Sequence, residues 1–542
     1  MADSINPTKK TRVPFSLFSA VTIFCYLIVF LPIVSQSQPN WAWATSAGGS
    51  SSDYGQGICS DNNGNVFTTG YFDQSITFGN ITLTDLGGSD IFVVKYNAQG
   101  DVIWANSYGG TSFDYASRIT SDAQGNIILT GGFRSESIGF GNTTLANPNG
   151  PEAFFVTKIN PQGDVLWAKT AANDSNCWGN DLTADTEGNV IVTGSFSGTS
   201  AAFGTVTLNN TSQTFTDFFI VKYNALGDVI WAQSFGGNNN DSGSGLVSDS
   251  NDNIFMIGAY QSSEITFGVT TFHNSGGIDY FMLQFDSSGN LIWMRKAMGD
   301  GNEIGRGIDI DQNGNLYVTG TFSGTYATFE LTTLTGNGYD NMFIIKYNSL
   351  GHLQWIHSPL GNDNDEPYAL TVDHDGSVLV TGEYYSNPLT LGTFELSNTS
   401  TDYSNLFVTK INPEGLFAWA LSTGGSDDDY GLNITTLSNG NAYLTGGFRS
   451  SSLDFGNTTL VNTSDSPDYF IAKLNSITGI SDEEFYNYSA IFPNPAKDFI
   501  QIKTTTNVDI EICNMAGQSL LISEVSATNA RLTYHRFCLD VI

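Results

Sequence analysis

Residues 41–49 read WAWATSAGG, and the phrase returns as WANSYGG at 104–110 and WAQSFGG at 231–237. In both later copies it closes a longer phrase, GDVIWA, so the chain shows the tail of its own repeat before it shows a whole copy. Working outward, Trp43, Trp104, Trp167, Trp231, Trp293, Trp355 and Trp419 recur every 61 to 64 residues. Gly70, Gly131, Gly194, Gly258, Gly320, Gly382 and Gly446 keep the same spacing, in phrases such as GNVFTTGYF and GNLYVTGTF. A third marker, DIFVVKYN (90–97), returns as DFFIVKYN (217–224), NMFIIKYN (341–348) and DYFIAKLN (468–475), with three looser copies.

Each unit parses into four strands. The first ends near Ile58 or Ile119 and runs into a turn such as DNNGN or DAQGN. The second is NVFTTGYF, the third DIFVVKYN and the fourth DVIWANS; all are β-branched and aromatic, and Asn-Gly or Gly-Asp turns bound them. A short FGNITL segment is expected to link the second strand to the third. No helical periodicity is sustained outside the leader. The seventh unit stops at DYFIAKLNS without a fourth strand, and the missing phrase stands at 41–49. A ring needs that offset, because the first strand then completes the last unit and leaves no open edge there; a solenoid has no use for it. The pattern predicts an all-β protein whose residues 38–476 form a seven-bladed β-propeller closed by its N-terminal strand, with repeats of about 62 residues.

The phrases GNVxxTGxF, DxFVxKYN and GDVxWA resemble the SBBP family of bacterial β-propeller repeats over about residues 41–475. The resemblance implies the fold. That family has no general catalytic activity, so it implies little about function.

Both ends read as address labels. Lys9, Lys10 and Arg12 precede an apolar run from Phe15 to Val34 and the small residues Ser35 and Ser37. Residues 1–37 are therefore expected to be a signal peptide, with no stable membrane span left after its removal. A linker at 477–489 leads to AIFPNPAKDFIQIKTTTNVDIEICNMAGQSLL (490–521), with strands around Phe499–Ile502 and Val508–Ile512 and a turn at Ala516–Gly517. FPNPAKDFIQI and VDIEICNMAGQSL resemble the type IX secretion C-terminal sorting domain of Bacteroidetes. The resemblance implies a small β-sandwich-like domain over 490–542, the type IX machinery as a partner, and a protein secreted from, or held on the outer-membrane surface of, a Gram-negative bacterium. The family normally ends in a Gly-Tyr strand and a basic final strand. This chain ends NARLTYHRFCLDVI, so the domain is expected to be incomplete.

Composition narrows the function. With 53 acidic against 20 basic residues the formal charge is −33, which excludes nucleic acid as a partner, since phosphate neutralisation needs clustered Lys and Arg. The five cysteines are scattered without CxxC spacing, and the five histidines show no HExxH. No GxSxG or phosphate loop occurs. The turn DIDQNGN (309–315) has the opening of a calcium loop, but its twelfth position is Gly320 rather than Glu, so it reads as a hairpin turn.

Two sets of residues remain as site candidates. Asp53, Asp114, Asp241, Glu303, Asp365 and Asp429 recur where each first strand begins, with Cys177 in the remaining copy. They are expected in a ring near the channel mouth, capping their own Gly-Gly loops or pairing with the recurrent Lys95, Lys222, Lys346 and Lys473, with calcium binding as the alternative and no other cofactor expected. The second set breaks the repeat: Trp178, Arg306, Glu366, Tyr384 and Tyr385 supply stacking surfaces and polar contacts for a ligand. The expected role is a non-catalytic binding or adhesion scaffold on an extracellular polysaccharide or protein. An extracellular polysaccharide lyase or hydrolase and a purely structural envelope protein are the alternatives.

Overall fold

The computed structural model describes residues 38–476 except 62, 148–150, 360, 399 and 401, together with five strands between 490 and 533. The expected signal peptide, the linker at 477–489 and the turn at 516–517 lie outside the described residues.

Seven units of four antiparallel strands follow one another along the chain. Six keep sequence order from first to fourth, the last borrows its fourth strand from the start of the propeller, and the fourth unit is extended to six strands by the hairpin of the next. Blade 1 consists of Tyr54–Ser60, Val66–Phe72, Asp90–Tyr96 and Val102–Tyr108. Blade 7 consists of Asp429–Thr436, Ala442–Phe448 and Asp468–Leu474, and its fourth strand is Trp41–Ala47. In that pairing Trp43 lies opposite Lys473 and Ala47 opposite Tyr469. The first strands contact one another in order, and the first strand of blade 7 packs against that of blade 1. Side chains cross the same seam: Asn433 Nδ2 donates to Gln56 O at 3.4 Å, and the Thr68 and Tyr469 hydroxyls lie 3.0 Å apart.

The recurring sequence markers have physical tasks. Second and third strands are buried along nearly their whole length, which is why they read as continuous apolar runs. Each first strand carries a bulge, so that Gly55 and Gly57 face consecutive residues of the second strand with Gln56 extra between them. The bulge presses a carbonyl onto the recurrent glycine of the second strand. A Cβ on Gly70 would fall 1.7 Å from Tyr54 O, and one on Gly320 would fall 2.0 Å from Ile304 O. The recurrent tryptophan reaches into the next blade, with Trp104 Nε1 donating to Pro161 O at 3.2 Å and Trp355 Nε1 to Pro413 O at 3.2 Å. The apolar core accordingly forms as clusters between neighbouring blades.

Two expectations need correction. The FGNITL segment is not a plain link: Ser75–Phe78 pairs with Ile81–Thr84 as a hairpin, and every blade has one, with those of blades 3 and 5 also pairing with a neighbouring strand. Its two short strands alternate burial, and Gly79 supplies the left-handed turn at φ 57°. The recurrent lysines do not pair with the first-strand acids. Lys222 Nζ lies 2.8 Å from Asp185, in the turn after a first strand, while Lys95, Lys346 and Lys473 donate to carbonyls of the next blade at 3.0 to 3.1 Å.

In the C-terminal segment Phe499–Lys503 pairs with Ala490–Phe492 and Ala530–Thr533, and Val508–Cys513 pairs with Ser519–Val525.

Candidate ligand-binding site at the channel mouth

Strand alternation decides which side chains reach the channel. Where each first strand begins an acid, or Cys177 in blade 3, is buried, and the next residue is half-buried on the opposite face. Asp53, Asp114, Asp241, Glu303, Asp365 and Asp429 are each at most 1% exposed, so they do not form the expected ring of carboxylates at the channel mouth. Most cap their own loops. Asp114 accepts Gly110 N at 2.8 Å and Ser135 Oγ at 2.7 Å, and Asp241 accepts Gly237 N at 2.9 Å and Ser262 Oγ at 2.6 Å. Among the described residues no three His, Cys, Asp or Glu side chains meet in a way that would hold a metal.

The channel is lined instead by the residue after each acid, or after Cys177 in blade 3, and by the extra residue of each bulge. On one side these include Tyr54, Tyr115, Trp178 and Tyr430; opposite stand Ser242, Ile304 and Glu366. The aromatic side continues through the end of the second strand. Ring centroids step from Tyr54 to Tyr71 at 5.4 Å, Tyr71 to Phe113 at 5.3 Å and Phe113 to Tyr115 at 5.5 Å.

These rings border a cavity of about 710 Å³ between blades 1, 2 and 3, lined by Tyr71, Phe113, Tyr115 and Trp178 with Arg118, Arg134, Glu152, Asn176 and Asn180. Its polar groups are held in place. Glu152 accepts the Tyr115 hydroxyl at 2.6 Å and Arg134 Nε at 3.2 Å, and the Arg134 guanidinium lies 5.4 Å from the Phe113 centroid. Arg118 donates to Gln56 O at 3.2 Å and stands 3.9 Å from Asp181. Burial, reinforced by the Glu152 charge, pushes the Tyr115 hydroxyl well above its ordinary pKa, so it stays a donor.

The repeat-breaking residues do not converge. Trp178 lines the cavity. Arg306 and Glu366 neutralise each other at 2.9 Å across blades 5 and 6, and burial raises the Glu366 pKa against the pull of Arg306. Tyr384 is fully buried and donates to Ser397 O at 3.1 Å; as the last residue of its second strand it belongs to the blade core. Tyr385 donates to Asp428 at 3.3 Å. Sequence reasoning missed Tyr71, Phe113, Arg134 and Glu152. One signal was available for Arg134: the residue after the closing aromatic of each second strand is Asp73, Arg134, Ser197, Gln261, Ser323, Tyr385 or Arg449, a variable position inside a constant frame.

Comparison with known proteins agrees with both parts of the chain. Residues 292–321 match the family model of a beta-propeller repeat, and residues 490–535 match that of a secretion system C-terminal sorting domain. The chain is thus an all-β protein with propeller repeats and a sorting domain, secreted or displayed at the cell surface, as in Bacteroidetes-like bacteria. A sorting domain of this type engages the secretion machinery. No described helix is long and apolar enough to cross a membrane.

Among curated proteins it is similar to an uncharacterised WD repeat-containing protein of Acanthamoeba polyphaga mimivirus, 23% identical over 535 residues, covering 80% of this chain and 38% of that protein. It is also similar to the regulatory protein FlaEY of Caulobacter vibrioides, 23% identical over 269 residues, covering 46% of this chain and 28% of that one. The chain therefore spans well under half the length of either relative. Solved structures with some likeness include a protein of unknown function from Dyadobacter fermentans, at TM-score 0.38 and 11% identity, covering 80% of this chain and 99% of that one. The WD40 domain of Pan2 from Neurospora crassa has TM-score 0.37 and 9% identity, covering 79% of this chain and 90% of that one.

Proposed function

We propose that the protein is an exported, non-catalytic binding module that takes an extracellular saccharide in the aromatic cavity at the channel mouth. The observation that carries this reading is the run of partly exposed rings from Tyr71 to Trp178 beside the fixed Arg134–Glu152 pair. Sugar rings offer apolar faces to stack on aromatics and hydroxyls to bond with amides and charged groups, and the cavity supplies both kinds of surface. Its one lining carboxylate, Glu152, already accepts two hydrogen bonds. This favours recognition over hydrolysis, which commonly places two carboxyl groups across the scissile bond.

The test is a glycan array on the full chain, followed by calorimetry with the best oligosaccharide. Binding that is lost in Trp178→Ala and kept in Ile304→Ala supports the reading. Binding insensitive to Trp178, or turnover of the oligosaccharide by the purified protein, defeats it.

A further inference from the structure

Where two blades meet, the first residue of a first strand lies beside the first residue of the preceding blade's third strand. The backbone forces this: Asp114 N donates to Ser89 O and Asp241 N to Thr216 O, both at 2.8 Å, and those carbonyls immediately precede Asp90 and Asp217. At four junctions the neighbours are both acids: Asp468 with Asp53, Asp90 with Asp114, Asp217 with Asp241, and Asp279 with Glu303. None of these eight side chains is more than 8% exposed.

In two pairs one carboxylate is saturated. Asp114 accepts hydrogen bonds from Gly110 N, Arg134 N, Ser135 N and Ser135 Oγ, and Asp241 has the matching four donors. Its neighbour is not. Asp90 Oδ1, Asp217 Oδ1, Asp468 Oδ1 and both carboxylate oxygens of Glu303 are buried without a hydrogen-bond partner among the described residues. Three of these oxygens sit in the glycine loop that serves the opposing acid. A Cβ on Gly109 would fall 2.0 Å from Asp90 Oδ1, one on Gly236 1.9 Å from Asp217 Oδ1, and one on Gly48 2.1 Å from Asp468 Oδ1. The following amides, Gly110, Gly237 and Gly49, hold Asp114, Asp241 and Asp53.

A buried carboxylate oxygen with no donor is strongly unfavourable, and a second carboxylate beside it makes matters worse. It occurs at all four two-acid junctions, on the third-strand acid in three and on the first-strand Glu303 in the fourth; the amide oxygen of Asn341, beside Asp365, is likewise buried without a partner among the described residues. The turn itself does not require it: between blades 2 and 3 the two positions are Ala153 and Cys177, and blade 3 forms the same four strands. Both acids are missing there, and two further junctions carry one acid beside an amide, Asn341 with Asp365 and Asn405 with Asp429.

We propose that each of the four two-acid junctions binds a hard divalent cation, calcium in the extracellular medium. Paired carboxylates supply its charge, and loop carbonyls and water are the usual further ligands of such an ion. The bound ion satisfies the orphan oxygens and ties one blade to the next.

The experiment is calcium titration of the full chain after EDTA dialysis, read by calorimetry and native mass spectrometry, with melting measured in parallel. Binding of four ions per chain and a higher Tm that EDTA reverses are expected. Asp217→Asn and Asp90→Asn should each remove one ion, while Asp429→Asn, at a junction whose other member is Asn405, should leave the number unchanged. If one variant does not fold, the other carries the test. Absence of bound calcium at millimolar concentration, or a stoichiometry that neither substitution lowers, overturns the proposal.

Discussion

Trp43 donates its indole N–H to Ala98 O at 3.4 Å, and Lys473 donates to the same carbonyl at 3.0 Å. The two donors stand at opposite ends of the propeller sequence, yet they repeat the contact that Trp104 and Lys95 make together on Pro161 O at 3.2 and 3.1 Å. The seam between blades 7 and 1 is thus built like an ordinary junction, with one strand borrowed from the N-terminal end. Trp43→Ala should lower stability by about 2 kcal/mol, from a half-buried ring and one hydrogen bond. Removal of residues 41–47 should cost several times that and broaden the melting transition. Calorimetric melting of both variants checks this, and unchanged curves would count against the seam.

The cavity prediction is local. Trp178→Ala and Tyr115→Ala should each weaken saccharide binding by about tenfold to a hundredfold, the range of central aromatic contacts in an interface. Glu152→Gln should act more mildly, by loosening Arg134. Calorimetric titrations at constant protein stability separate these effects from unfolding.

Buried ion pairs give a prediction of a different kind. Lys158 and Asp122 meet at 2.8 Å with side chains 4% and 0% exposed. Lys158→Met alone should cost about 3 kcal/mol, because Asp122 is left buried and charged; adding Asp122→Leu should recover much of that loss. Denaturant unfolding of the two variants, compared as a cycle, reads the difference.

The pH dependence follows from Asp429 and Asp365, whose pKa values burial raises to about 7 and about 6 despite hydrogen bonds from Ser450 and Ser386. Raised values mean that the folded state holds these protons more tightly than the unfolded state. Their contribution is complete below the ordinary carboxylate range and is lost as pH rises through 6 to 7. In calcium-free buffer, Tm should fall between pH 5 and pH 8 on this account, and Asp429→Asn should flatten part of the slope. An equal slope in the variant would remove Asp429 from the explanation. Asp122 and Asp185, held below the ordinary range by Lys158 and Lys222, act in a separate window at lower pH and with the opposite sign.

The strand pattern was legible because each marker does one physical task in every unit. The displaced WAWATSAGG phrase gave the pairing of Trp41–Ala47 with Asp468–Leu474. The hairpin at Ser75–Phe78 was hidden by its shortness: four residues carry too little alternation to separate a strand from a loop. Site residues were harder to read. Spacing located Trp178, but Tyr384 and Tyr385 are adjacent in sequence while one is fully buried and the other only half-buried, so only strand register separates the core ring from the partly exposed one. Arg306 and Glu366 stand out as departures from the repeat, yet their partnership spans 60 residues and two blades. The orphaned acids Asp90, Asp217 and Asp468 sat inside the third recurring marker, where repetition reads as structure.

The bulge of the first strand has an evolutionary consequence. Its backbone is fixed by the second-strand glycine behind it and by buried groups on either side, so the two channel-facing residues in each blade do not set the strand geometry. Several nonetheless bond to the next blade, as Arg306 does to Glu366 and Ser244 to Gly305 O. Tyr, Trp, Ser, Ile and Glu already share one of these positions among the seven blades, and Gln, Ser, Asn, Arg, Tyr and Leu share the other. The ring therefore behaves as a fixed typeface with interchangeable letters: duplication multiplies the frame, and selection can rewrite the mouth one residue at a time without revising the fold that displays it.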